Sequence, residues 1–209
     1  MGLDQLVKRY TPQEYYRLEH DAPYKSDYYD GEIFAMAGGT VAHSTITTNI
    51  VGELRNRLKG KPCAAYESNL RLRIRTTGLR CYPDASVFCG PLERDPEDTN
   101  LETLTNPTAL FEVLSPSTEA YDRGFKAGNY RQIESLRAYI LISQTDVHAE
   151  VYSRQADGSW LLREAKGLDG VLSIPSIGID LPLAEIYDRV DFTAAPAEAS
   201  PPLPHTPRG

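Results

Sequence analysis

The sequence predicts a mixed α/β fold, α+β in its ordering, within one domain. Three observations carry that expectation. Residues 41–59 repeat their apolar positions at helical spacing. The stretches before and after them alternate with a period of two or form short apolar runs, as strands do. A length of 209 residues suits one substantial core, or at most two small ones.

The elements follow in order. Thr11-Pro12-Gln13-Glu14 is a capping box with proline at the first helical position, opening a helix to about Glu19. In KSDYYDGEIFAM, Asp30-Gly31 between two aromatic or apolar runs predicts a hairpin. Gly38-Gly39 then breaks the chain. The long helix covers about Val41 to Lys59 and buries Ile46, Ile50, Val51, Leu54 and Leu58, with Gly60 where a C-terminal cap belongs. NLRLRIR sets Leu70, Leu72 and Ile74 on one face and Arg71, Arg73 and Arg75 on the other, read most simply as a solvated strand face.

Tyr82 to Cys89 and Thr108 to Leu114 read as buried strands separated by the acidic loop ERDPEDTNLE. A helix over about Asp122 to Ile133 is weakened by Gly124 and Gly128 and supported by Phe125, Tyr130 and Ile133. AYILIS is a further buried strand, HAEVYSRQADGSWLLREA a second hairpin turning at Asp157-Gly158, and Leu183 to Tyr187 a short helical turn. The domain is expected over residues 1–191. Residues 192–209 carry five prolines and few large apolar side chains, the composition of a disordered tail.

A net charge of -7 argues against a protein that coats nucleic acid non-specifically. It leaves room for DNA as a substrate through local basic patches or through a cation bridging acidic groups to phosphate. Three cysteines without C-x-x-C spacing predict reduced thiols and an intracellular compartment. MGLDQLVKRYTPQEYY has no apolar signal core, Leu6 breaks the myristoylation pattern, and no apolar stretch reaches membrane-spanning length; the expectation is a cytoplasmic protein with no membrane partner.

Two acids sit in strand-like apolar surroundings, Asp84 in YPDASVF and Glu112 in ALFEVL. A bare buried carboxylate costs several kcal/mol or protonates, so each must be paired, hydrogen-bonded or bound to a cation. If their strands are neighbours, the two carboxylates invite a divalent cation, most naturally Mg²⁺, with Mn²⁺ as a substitute. Lys126, on the first turns of the helix after Ser115-Pro116, can run back towards Glu112 and steady charge developing on a phosphate; the strand itself offers Leu114 at the same-face position. His43 just inside the long helix and Glu32 after the hairpin turn are further candidates. Each has a plainer reading: Glu112 as a salt-bridged strand residue, Asp84 as a turn residue, His43 as a cap, Glu32 as an exposed strand residue. Ser115 and Ser117 lack a G-x-S-x-G elbow and a histidine partner, and His20, His43, His148 and His205 form no close pair for a metal.

YYDGEIFAMAGGT…H, YPDASVFCGP, NPTALFEVLSPSTEAYDRGFK and LRAYILIS together resemble the Uma-two family of restriction endonucleases, in the PD-(D/E)XK nuclease superfamily, from about Thr11 to Val190. The resemblance implies a restriction-endonuclease-like core, a central mixed sheet flanked by helices with additional hairpins. It implies that Pro83-Asp84 is the Pro-Asp element, that Glu112 is the second acidic position, and that Lys126 on the following helix stands in for the lysine missing at Leu114. Glu32 and His43 match recurring positions near such a site. Asn69 stands where relatives carry aspartate in S-D-L-R-V, and Phe125 where they often carry glutamate.

The function these residues imply is a Mg²⁺-dependent endonuclease hydrolysing DNA phosphodiester bonds. Asp84 and Glu112 would be metal ligands, and Arg71, Arg73 and Arg75 would track the nucleic-acid backbone. A homodimer would supply two sites for double-strand cleavage. The alternative is a non-catalytic nuclease-fold binding or assembly module.

Overall fold

The computed structural model describes residues 8–36, 38–100 and 102–193. The N-terminal residues 1–7 and the Pro-rich segment from residue 194 onward lie outside the described residues, and with them most of the expected tail.

Local chemistry sets the first elements. α1 (Pro12–Asp21) starts at the capping box: Glu14 N–H donates to Thr11 Oγ1 at 3.2 Å, and Thr11 N–H donates to Glu14 Oε2 at 2.7 Å. β1 (Ser26–Tyr29) and β2 (Glu32–Ala35) form the hairpin, with Asp30 and Gly31 at φ 45° and 82°. Two positive φ values are what a two-residue turn of this hand demands, and glycine meets them without steric cost. α2 (Val41–Arg57) is capped by Thr40, whose Oγ1 accepts from His43 N–H at 3.1 Å, and it buries Ile46, Ile50 and Leu54.

β3 (Cys63–Glu67), β4 (Arg71–Arg73), β5 (Arg80–Cys81), β6 (Ala85–Cys89), β7 (Thr103–Leu104) and β8 (Ala109–Leu114) follow. The run expected as one strand over Tyr82–Cys89 is divided, because β5 and β6 belong to different sheets. Pro83, which has no N–H for a ladder, lies at the step between them. The expected helix at 122–133 begins earlier and ends earlier. It is a continuous helical run over 119–130, made of α3 (Glu119–Tyr121), a π-helical turn (Asp122–Lys126) and α4 (Ala127–Tyr130). β9 (Ala138–Ser143), the hairpin β10 (His148–Arg154) and β11 (Trp160–Lys166), the pair β12 (Val171–Ile174) and β13 (Ile179–Pro182), and α5 (Leu183–Ile186) complete the described chain.

The central sheet is mixed and six-stranded, in the order β11-β10-β9-β8-β6-β3, with β8 and β9 parallel and the other pairs antiparallel. A second sheet runs β2-β1-β5-β4-β7. On one face of the central sheet, Phe111, Val113, Ile140 and Ile142 pack with α2, α5 and the β12–β13 pair. On the other, Leu110, Leu114 and Leu141 pack with Tyr130 of the helical run and with Leu72 and Leu79 from the second-sheet side. Strand alternation puts Glu112, between Leu110 and Leu114, on this second face.

Two expectations are corrected here. Cys63 and Cys89 are direct partners across the β3–β6 ladder and form a disulfide, leaving only Cys81 as a free, buried thiol among the described residues. The antiparallel register joins them across 26 residues of sequence, a distance that spacing rules do not see. Nor are the two arginines of β4 a solvated face, although Arg75 beyond it stays exposed. Arg71 is buried, donating to the Tyr82 hydroxyl at 2.8 Å and paired with Asp98 at 3.4 Å. Arg73 pairs with Asp95 and Glu97, and Arg75 with Glu93 at 3.1 Å. The acidic loop supplies the carboxylates that pair with all three guanidinium groups. Among the described residues, no helix is long and apolar enough to cross a membrane.

Candidate active site

β6 and β8 are antiparallel neighbours, and the pairing of Ala85 with Phe111 brings Asp84, just before β6, opposite Glu112. Asp84 Oδ2 accepts from the Val113 amide at 2.7 Å and lies 3.2 Å from His43 Nε2 on the first turn of α2. Glu112 Oε1 accepts from the Tyr130 hydroxyl at 2.7 Å and from Lys126 Nζ at 3.1 Å. Lys126 Nζ also lies 3.2 Å from Asp122 Oδ1, one π-helical turn earlier. The two are four residues apart and so share one face of the helical run, within a π-helical turn of the kind that recurs at functional sites.

The electrostatics of the cluster are lopsided. Glu112 is 3% exposed and Lys126 5%. Burial, reinforced by the charges of Asp122 and Asp84, pushes the Glu112 carboxyl up to about 8, with Lys126 and Tyr130 pulling the other way. Burial also opposes the Lys126 charge, but Glu112, Asp122 and Asp27 outweigh it and hold the ammonium well above the ordinary lysine range. For Asp84, desolvation is outweighed by His43, the Val113 amide and Lys126, so its pKa is lowered and it remains a carboxylate. His43 is raised in return: the Asp84 carboxylate overcomes desolvation.

Two residues that the sequence did not single out belong to the same cluster. Asp27 in β1 is 5% exposed, accepts from the Tyr121 hydroxyl at 3.3 Å, and has its Oδ1 buried without a hydrogen-bond partner. Desolvation raises its pKa, against the pull of Lys126. Asp122 Oδ1 is likewise buried without a hydrogen bond, its contact with Lys126 being an ion pair only. The available signal for Asp27 was an acid inside an aromatic strand, the same signal that marked Glu112.

The remaining candidates lie elsewhere. Glu32 shares its hairpin with Asp27 but sits at the turn end, where it pairs with Arg9 at 3.3 Å. Asn69 is in an exposed turn between β3 and β4. Phe125 packs against Tyr121 and Tyr29 beside the site. Arg71, Arg73 and Arg75 are committed to the carboxylates described above. His148, for which no metal partner was expected, forms a compact group with Glu150 and Glu164. Both oxygens of Glu150 are held by Arg123 at 2.8 Å, and Glu164 also pairs with Lys166, so that group is an ion-pair network.

Comparison with known proteins decides the family. The Uma2 profile, described as "Putative restriction endonuclease", matches residues 12–184. This chain belongs to the Uma2 family. Two uncharacterized proteins of Synechocystis sp. (strain ATCC 27184 / PCC 6803 / Kazusa) are similar to it. One, slr1290, is 38% identical over 182 residues, covering 87% of this chain and 93% of the relative. The other, sll1609, is 33% identical over 163 residues, covering 77% and 90%. A crystal structure of a "putative nuclease belonging to DUF820" from Anabaena variabilis ATCC 29413 superposes with a TM-score of 0.65 at 21% identity, covering 83% of this chain and 95% of that one. At that identity the likeness is one of fold: the Uma2 chain has the mixed α/β architecture of that protein, as its motifs implied.

Proposed function

We propose that this Uma2 chain is a divalent-cation-dependent nuclease that hydrolyses phosphodiester bonds in DNA, with Asp84 and Glu112 as the cation ligands and Lys126 as the charge beside them. The observation that carries the reading is the division of labour on the two carboxylates. Every hydrogen bond and ion pair of Asp84 falls on Oδ2 and every one of Glu112 on Oε1, so among the described residues Asp84 Oδ1 and Glu112 Oε2 have no partner. Two hard oxygen donors in surplus negative charge fit Mg²⁺ or Mn²⁺. Bound there, the ion supplies Lewis acidity towards a phosphoryl oxygen.

The chain's own groups do the rest. The His43 ring and the Val113 amide fix the Asp84 carboxylate, and Tyr130 fixes Glu112. Lys126, positively charged and anchored between Glu112 and Asp122, orients the phosphodiester and stabilises the charge that develops on it. Burial of this lysine lowers the local dielectric and strengthens that interaction. Two copies about a two-fold axis would present two sites to the two strands of a duplex.

Cleavage of plasmid DNA with Mg²⁺ or Mn²⁺ tests the reading. Asp84→Asn, Glu112→Gln and Lys126→Ala are each expected to lose about 10²-fold or more in rate, with circular dichroism confirming that the variants are folded. Cleavage at the parent rate in all three would overturn it. The second reading, a non-catalytic binding module, draws on the neutralised arginines of the β4 region and predicts DNA or protein binding indifferent to metal and to Lys126→Ala.

A further inference from the structure

The arginines at positions 71, 73, 75 and 80 each have a carboxylate partner. Those at 131, 137 and 154 do not. Among the described residues, none of these three has a carboxylate within ion-pair distance. The Arg154 guanidinium donates to the carbonyls of Arg131 and Ile133 and lies over the Trp160 ring at 4.8 Å, and Arg137 donates to the carbonyls of Glu134 and Leu136. The exposed Arg131 side chain has no hydrogen-bond or ion-pair partner at all among the described residues. Burial and the like charge of Arg137 hold Arg154 below the usual arginine range, against the pull of Glu134.

Beside these arginines lies a half-open cavity of about 90 Å³ between the helical run and the outer strands of the central sheet. Arg123, Ala127 and Arg131 line one wall, and Tyr139, Tyr152 and Trp160 the other. Arg123 is already neutralised by Glu150, so Arg131 is the cation free to meet a ligand. The cavity is far smaller than the roughly 300–1,000 Å³ that enclose a small-molecule ligand. It suits one ring of a polymer that leaves most of itself outside. Aromatic rings beside unpaired guanidinium groups are a combination that holds single-stranded nucleic acid: bases stack on the rings, and the cations meet the phosphates.

We propose that this cavity is a contact site for a single strand of nucleic acid, in which one base stacks against Trp160 and Tyr152 and its flanking phosphate meets Arg131. Arg137 and Arg154 supply the surrounding positive field. The inference deepens the nuclease reading by naming where the strand is held. The helical run that sends Lys126 to Glu112 sends Arg131 to this cavity, one strand-facing wall serving both.

Trp160 is the only tryptophan in the chain, so its fluorescence reports on this site alone. The full chain is titrated with a short oligothymidylate in EDTA, where no cation-dependent turnover occurs. The expected result is saturable quenching. Arg131→Gln should weaken the oligonucleotide about tenfold and reduce the slope of log affinity on log salt by about 0.7, the value for one phosphate contact on a single strand. Arg163→Gln removes the same charge from β11 on the opposite sheet face, where Arg163 pairs with the core residue Val151, and should change neither. Asp84→Asn should abolish cleavage yet keep the quenching. Quenching that is absent, or unchanged in Arg131→Gln, overturns the contact site even if the protein cleaves DNA. Quenching that depends on Arg131 in a protein that cleaves nothing upholds the site and removes the nuclease reading instead.

Discussion

Glu112 accepts both of its hydrogen bonds on one oxygen and is buried beside the charges of Asp122 and Asp84, so its proton is the one most exposed to what happens in the site. Its folded pKa of about 8 lies above the ordinary value of 4.5. For a raised acid, the stabilisation of the folded state is complete below the unfolded pKa and is lost as pH rises through the folded one. The cation-free protein should therefore lose stability between about pH 5 and pH 8, and Glu112→Gln should flatten that stretch of the profile; denaturant titrations at a series of pH values check it. A divalent cation competes with the same proton, so its apparent affinity should climb with pH up to about 8. Lys126→Met leaves Glu112 and Asp122 buried without their cation and should cost about 3–5 kcal/mol, whereas Tyr130→Phe removes one hydrogen bond and should cost about 1–2 kcal/mol. Equal losses for the two would contradict the view that Lys126, rather than the phenol, is the main partner of the buried acids Glu112 and Asp122. At this scale Glu112, Asp84 and Lys126 were legible, because a carboxylate inside an apolar strand must be answered by something and a turn brings the lysine back. Asp27 was not, since nothing local says that its hairpin joins a second sheet facing the first.

The helical run at 119–130 shows how far periodicity reaches. Phe125 and Tyr130 announced a helix, and Gly124 and Gly128 announced that it would be a poor one. The π-helical widening at Asp122–Lys126 has no periodic signature in so short a stretch, and Asp122 and Lys126 pair within it. A methyl group at Gly124 meets no heavy atom within 4 Å, and that glycine has no positive φ to defend. Gly124→Ala should accordingly raise stability by about 0.4–1 kcal/mol through the unfolded chain, read by thermal or denaturant unfolding. Destabilisation would mean that the turn needs glycine for its shape. The β3–β6 pair makes the same point about strands: β3 was missed because its five residues carry no strong alternation, and with it went the disulfide that its register creates.

Across the whole molecule, the two sheets divide the chemistry between them. The central sheet supplies Glu112 with Asp84 just ahead of its strand β6, the second sheet supplies Asp27, and the helical run supplies Asp122, Lys126 and Tyr130. The positive charge is distributed contrary to the sequence expectation. The alternating arginines at 71–75 looked solvated because alternation tells which way a side chain points and not what meets it; carboxylates of the acidic loop pair with all three, and only Arg75 stays exposed. Arg131, Arg137 and Arg154, which have no carboxylate partner among the described residues, gather instead past the C-terminal end of the helical run, scattered in sequence where no motif collects them. Calorimetric titration of Mg²⁺ and Mn²⁺ into the purified protein, beside Asp84→Asn and Glu112→Gln, tests the central claim most directly. The account predicts one cation bound by the parent chain and binding lost in both variants; cation binding that survives unchanged in the two variants would contradict it.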